Sequence, residues 1–165
     1  MSSTSHQPIV VTHEGGARFA AQIRSHRVVV DQPERGSGAD TGPMPLELIG
    51  AALGSCIALY VQRFLHVRNL PYHGMRVEVE QHKAGNPNRI GAFVARVVLP
   101  APLPAAYVGL LERVARNCPA HETLSTGRRY SLRSKRRRPP QPSGRSGWPA
   151  VHSLRELYAQ EGRDP

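Results

Sequence analysis

Apolar and polar positions alternate and cluster in a way that divides the chain into elements. Residues 8–13, 18–24 and 27–31 are short Val-, Ile- and Ala-containing runs, broken by Gly15-Gly16 and by Ser25-His26. Breaks of that length predict three strands joined as hairpins. Residues 33–45 collect Gly36, Ser37, Gly38, Gly42 and Pro43 and read as a loop. Overlapping its end, residues 41–65 are organised differently. Leu46, Leu48, Ile49, Leu53, Ile57, Leu59, Val61, Phe64, Leu65 and the intervening alanines leave no polar face wide enough for solvent. That pattern predicts one long helix in the interior. Asp40 or Thr41 is the expected N-cap, and Pro43 and Pro45 fit only a first turn, where a missing N–H costs nothing. Glu47 and Gln62-Arg63 interrupt the run before it reaches the ~20 apolar residues of a membrane span.

Beyond the helix, Asn69-Leu70-Pro71 ends the pattern, because a proline disfavours helix at the residue before it. Residues 75–82 alternate with period two and predict a half-buried strand. A Gly85-Asn86-Pro87-Asn88 turn leads to a second strand over 90–99, closed by Pro100, Pro102 and Pro104. Residues 105–116 form an amphipathic helix, with Val108, Leu111, Val114 and Ala115 as its apolar stripe. Pro119 suits the first position of a short helix, which puts Cys118 at its N-cap. Residues 129–133 are a candidate last strand. The order predicts an α+β domain with antiparallel sheet, a long buried central helix and a second amphipathic helix. One small sheet does not cover all of the central helix, and the surface left over predicts a two-fold homodimer.

Composition changes this picture only at the end of the chain. The net charge is +10, yet residues 128–165 carry +7 of it. The basicity therefore belongs to a tail and does not mark the globular part as a nucleic-acid binder. The domain is expected over 1–134, followed by a Pro- and Arg-rich tail over 135–165 whose composition does not favour a packed core. Its Lys135-Arg136-Arg137-Arg138 run reads as a solvated arm without the interleaved aromatics that stack bases, so any contact with nucleic acid is weak and non-specific. No leader pattern of basic, apolar and small-residue regions is seen, and a cytoplasmic, non-membrane protein is expected.

The chemistry rests on two cysteines, Cys56 and Cys118, too few for a secreted disulfide framework. Each has an ordinary account: Cys56 as a small buried hydrophobe, Cys118 as a helix cap. Taken together, one inside an apolar helix and one at a helix N-terminus that favours thiolate, they read as a redox pair. His121 could tune Cys118, but two Cys and one His fall short of a structural zinc pattern, and no metal or organic cofactor is expected.

These residues resemble those of the OsmC/Ohr family of thiol-dependent peroxidases, in its OsmC-like branch. The resemblance is carried by Gly42-Pro43-Met44-Pro45-Leu46-Glu47-Leu48 leading into Ala51-Ala52-Leu53-Gly54-Ser55-Cys56, and by Asn117-Cys118-Pro119-Ala120-His121-Glu122-Thr123-Leu124. It implies an OsmC-like fold in an intertwined homodimer with sites at the subunit interface, and reduction of organic hydroperoxides in oxidative-stress defence. Cys56 would be peroxidatic and Cys118 resolving, and a dithiol, lipoyl-linked where the family's reductant is known, would reset them. The family also uses an arginine from the N-terminal strands, matched here by Arg18 ahead of Arg24 and Arg27, and a glutamate near the start of the central helix. Glu47 is the candidate, one position beyond the family's place, which Leu46 occupies. On a straight helix Glu47 faces away from Cys56. The alternative in another class is a catalytically weak protein of the same fold that binds a small apolar molecule at the dimer interface.

Overall fold

The computed structural model describes residues 7–126; the candidate strand over 129–133 and the tail over 135–165 lie outside them. Strands β1 (Val10–Gly15), β2 (Arg18–Ile23) and β3 (His26–Val30) form an antiparallel meander in that order. Gly15 and Gly16 take φ of 122° and 54° to make the first turn, a region closed to most side chains. The second turn is one residue earlier than the sequence suggests: Arg24 carries the positive φ, and His26 already pairs with Ile23.

The loop after β3 is organised by one buried acid. Asp31 is 1% exposed. Its carboxylate accepts from the Gln32 N–H at 2.8 Å, the Ala39 N–H at 3.3 Å, the Thr41 N–H at 3.1 Å and the Thr41 hydroxyl at 2.7 Å. These donors, Thr41 foremost, pull its pKa down to about 2. Thr41 is therefore occupied by Asp31 and does not cap the helix, contrary to the sequence expectation. Asp40, the other expected cap, takes a left-handed φ of 52°.

Helix α1 (Pro45–Val67) begins instead with Met44 at the N-cap and Pro45 at the first position. The missing side-chain cap is replaced from inside the helix, where Glu47 Oε2 accepts from the Met44 N–H at 2.8 Å. The helix is buried on one face only. Leu53, Ile57, Val61, Phe64 and Leu65 pack inward, whereas Leu46 and Leu59 stay nearly half exposed and Val67 is 76% exposed. The expectation of burial all round does not hold within one chain, because only part of the helix surface meets β4, β5, α2 and α3. By length and composition alone α1 is sufficient to cross a bilayer. Its packed face accounts for that composition without one.

Strands β4 (Arg76–Ala84) and β5 (Arg89–Val98) form a second, separate antiparallel sheet, irregular between His82 and Lys83. Two glycines bring α1 close to it. A Cβ at position 50 would lie 2.5 Å from Gln81 Nε2, and one at position 54 would lie 3.0 Å from Val79 Cγ2. Helix α2 (Ala105–Arg116) follows as expected, but its inward stripe is rotated. Leu111 is buried with Tyr107, Leu110 and Val114 packed beside it, while Val108 points outward at nearly half exposure. The i, i+3, i+4, i+7 set that meets α1 is centred on Leu110 and Leu111 and leaves Val108 at its edge. Helix α3 (Pro119–Ser125) closes the described chain. The core joins Leu53, Ile57, Val61, Phe64 and Leu65 of α1 to Leu111 and Cys118; it includes no residue of β1–β3.

The Asp31 cluster yields a signed pH dependence. The folded-state pKa lies below the ordinary value of 3.8, so the stabilisation is complete above that value and is lost as pH falls from about 4 through about 2. Thermal melts should show Asp31→Ala lowered by roughly 5 °C or more at pH 7, with a flatter acid limb than wild type. Parallel acid limbs would refute the assignment.

Candidate functional site

Cys118 is placed by two local rules acting together. Pro119 fixes the first position of α3, and the residue before it becomes the N-cap. Its sulfur accepts from the His121 N–H at 3.4 Å. Contacts from α1 and α2 then seal it, leaving it with no exposed surface. Cys56, part-way along α1 on the flank of the buried face, is partly exposed and packs against the same cluster. The structure thus brings the two cysteines together. Burial pushes the Cys118 thiol up from its usual pKa, and the neighbouring Cys56 thiol pushes the same way. The His121 N–H opposes both. A thiol in that state stays protonated at neutral pH, which makes it a poor nucleophile.

The other candidates occupy different surroundings. Arg18 opens β2, with Nε 3.2 Å from Glu14 Oε2, a separation that makes an ion pair but lacks the alignment of a hydrogen bond. Glu14 also receives Arg27, whose Nη2 lies 2.6 Å from each carboxylate oxygen. That hydrogen bond holds the Glu14 carboxyl below the usual range. The acid that meets Arg18 is therefore Glu14, which the sequence reading passed over. It becomes visible only in register, once β1, β2 and β3 lie side by side. Arg24 is at a hairpin tip. Glu47 is turned back on the first turn of α1, and among the described residues it forms no ion pair. It lines a shallow cleft with Ser55 and Gln81.

His121 has its Nδ1 buried without a partner among the described residues, while Nε2 is 3.5 Å from Ser125 Oγ. No group of three metal-ligating side chains occurs among the described residues. Beside the core, α1, β5 and α2 enclose a groove of about 1170 Å³ floored by Leu53, Ile57, Phe93, Val97 and Leu111.

Residues 37–132 match the family described as OsmC-like protein. No curated protein sequence matches the chain. Among solved structures, a Psychrobacter arcticus protein named for osmotic stress induction and a detoxification response superposes with a TM-score of 0.66 at 18% identity, over 74% of this chain and 90% of that one. An OsmC-like protein of unknown function from Vibrio cholerae gives 0.63 at 14% identity, over 74% and 96%. An organic hydroperoxide resistance protein OsmC from Legionella pneumophila gives 0.51 at 12% identity, over 73% and 91%. At these identities the likeness is one of fold.

The unequal exposure of the thiols has a direct readout. Brief iodoacetamide treatment of the reduced protein at pH 7.5 should alkylate Cys56 at least about tenfold faster than Cys118, and urea should abolish the difference. Equal labelling of the folded protein would contradict the burial of Cys118.

Proposed function

We propose, from the premise that this chain belongs to the OsmC-like protein family, that it is a cytoplasmic, homodimeric thiol peroxidase that reduces organic hydroperoxides. The observation that carries this reading is the pairing of a partly exposed Cys56 with a sealed Cys118 at a helix N-cap. A redox or stress role agrees with the names of the Legionella and Psychrobacter neighbours.

In the proposed cycle the Cys56 thiolate attacks the outer peroxide oxygen. The O–O bond breaks, the alcohol leaves after taking a proton, and Cys56 becomes a sulfenic acid. The Cys118 sulfur then attacks that sulfenic sulfur; its proton leaves with the hydroxyl as water and a disulfide forms. An external dithiol, lipoyl-linked in this proposal, reduces the disulfide by exchange and is itself oxidised to a disulfide. A thiolate on an apolar helix needs a nearby positive charge. Arg18 is the proposed source, brought to Cys56 from the N-terminal sheet in the assembled dimer, with Glu47 the acid available to orient it at the start of α1.

The homodimer is supported by what one chain leaves uncovered. Ile9 just before β1 and Val10 and Val11 within it are more than half exposed, Leu46 and Leu59 lie open on α1, and β1–β3 contribute no residue to the cluster around α1. Proteins of this family are commonly homodimers. A second reading, a binder of a small apolar molecule, draws on the groove floored by Leu53, Ile57, Phe93 and Val97.

Intact mass after one equivalent of cumene hydroperoxide separates the two readings. The peroxidase loses two hydrogens, and Cys56→Ser abolishes that loss; an unchanged wild-type mass favours the binder. For the dimer, sedimentation should give about twice the 18.1 kDa chain mass, and Leu59→Asp should weaken association by about tenfold or more. A wild-type monomer at micromolar concentration would remove the interface from the mechanism.

A further inference from the structure

A second cleft, of about 450 Å³, lies between the last turns of α1 and α2. Its floor is apolar, made by Phe64, Leu110 and Val114, and its walls carry Arg63, Arg68 and Arg113. Among the described residues no Asp or Glu belongs to the lining. Among the described residues none of these three arginines forms an ion pair.

The simplest account of such residues is solvation, helped by the negative end of each helix dipole, which favours cations in a last turn. That account covers Arg113, and Arg68 in part. It does not explain why three arginines line one apolar floor with no acid beside them among the described residues, an arrangement that favours an anion. Nor is Arg68 a loose surface cation. Its Cζ lies 3.9 Å over the Phe64 ring and 5.7 Å from the Tyr107 ring centroid, and its Nη1 donates to the Phe64 carbonyl at 3.2 Å. A guanidinium already fixed against aromatic rings has little freedom left to lose when an anion arrives. Carboxylate and phosphate both present paired oxygens that match the planar fork of arginine, and the singly charged carboxylate costs less to seat beside an apolar floor. The apolar floor adds a requirement for an alkyl body, and the volume falls in the range of small-molecule sites.

We propose that this cleft binds a medium-chain alkyl carboxylate, its head held by Arg63, Arg68 and Arg113 and its chain laid on Phe64, Leu110 and Val114. Tyr60, also on the cleft wall, is one helical turn from Cys56, but neither cysteine belongs to the lining. Binding requires no reaction at the thiols and is independent of the peroxidase reading.

Calorimetric titration of the full chain with octanoate and with octan-1-ol, which share a tail and differ in charge, tests this. Octanoate should bind saturably and about tenfold or more tighter than the alcohol, with the advantage shrinking as salt rises. The double variant Arg63→Gln/Arg113→Gln should lose that preference while its circular dichroism and melting are unchanged; Cys56→Ser should retain it. Should the double variant not fold, Arg113→Gln alone, at an exposed position, should still cut the preference several-fold. No saturable octanoate binding, equal affinity for acid and alcohol, or a folded Arg-to-Gln variant that keeps the preference would overturn the proposal.

Discussion

The inward face of α1 is the surface on which the rest is assembled. Val61 and Leu65 lose essentially all contact with solvent, and Leu53, Ile57 and Phe64 nearly so. Each such side chain contributes about 1.5–3 kcal/mol by leaving water. The partners that cover this face are Leu111 of α2 and Cys118 at the start of α3, with Val77, Val79, Phe93 and Val97 of the second sheet beside them. Cys118 is thus a core residue as well as a chemical one. The packing that makes the fold stable also sets the second sulfur against Cys56 and raises its pKa.

The N-terminal third is held by different forces. The first sheet has no share in the cluster around α1; it buries Ala20, Ala21 and Val30, and its other ties are polar. Glu14 gathers Arg18 and Arg27 across three strands, and Asp31 ties the following loop through Ala39 and Thr41. The Asp31 N–H also donates to the Pro43 carbonyl at 3.3 Å, just before α1 begins. A sheet fixed by ion pairs at its surface and by a short buried network at its exit has apolar faces to spare. That is the arrangement expected of a segment completed by another surface.

Two acids show how local context adds to what a residue's type suggests. Glu47 is the proposed partner of Arg18 because of where it stands in the sequence. In the folded chain its Oε2 also answers a nearer need, since Met44 has no hydroxyl or carboxylate with which to cap α1 and the helix start would otherwise leave a donor unpaired. Asp31 carried no sequence signal at all, being one acid before a proline-rich loop. It is the most buried charged group described, because four donors converge on it.

Periodicity, proline and glycine were enough to place every described strand and α-helix within a few residues. Those signals act through the backbone and its nearest neighbours, where a missing N–H or an alternating side chain has the same consequence in any fold. Pro119 alone located Cys118 at an N-cap. The two cysteine motifs carried the family resemblance, which the match over residues 37–132 bears out. Everything that depended on distant segments meeting was decided by tertiary structure. That includes the division into two sheets, the one-sided burial of α1, the rotation of the α2 stripe away from Val108, the loss of Thr41 to Asp31 and the pairing of Arg27 with Glu14. Side chains in these places answer to whichever donor, charge or apolar surface the folded chain brings nearest, and no spacing along the sequence records that.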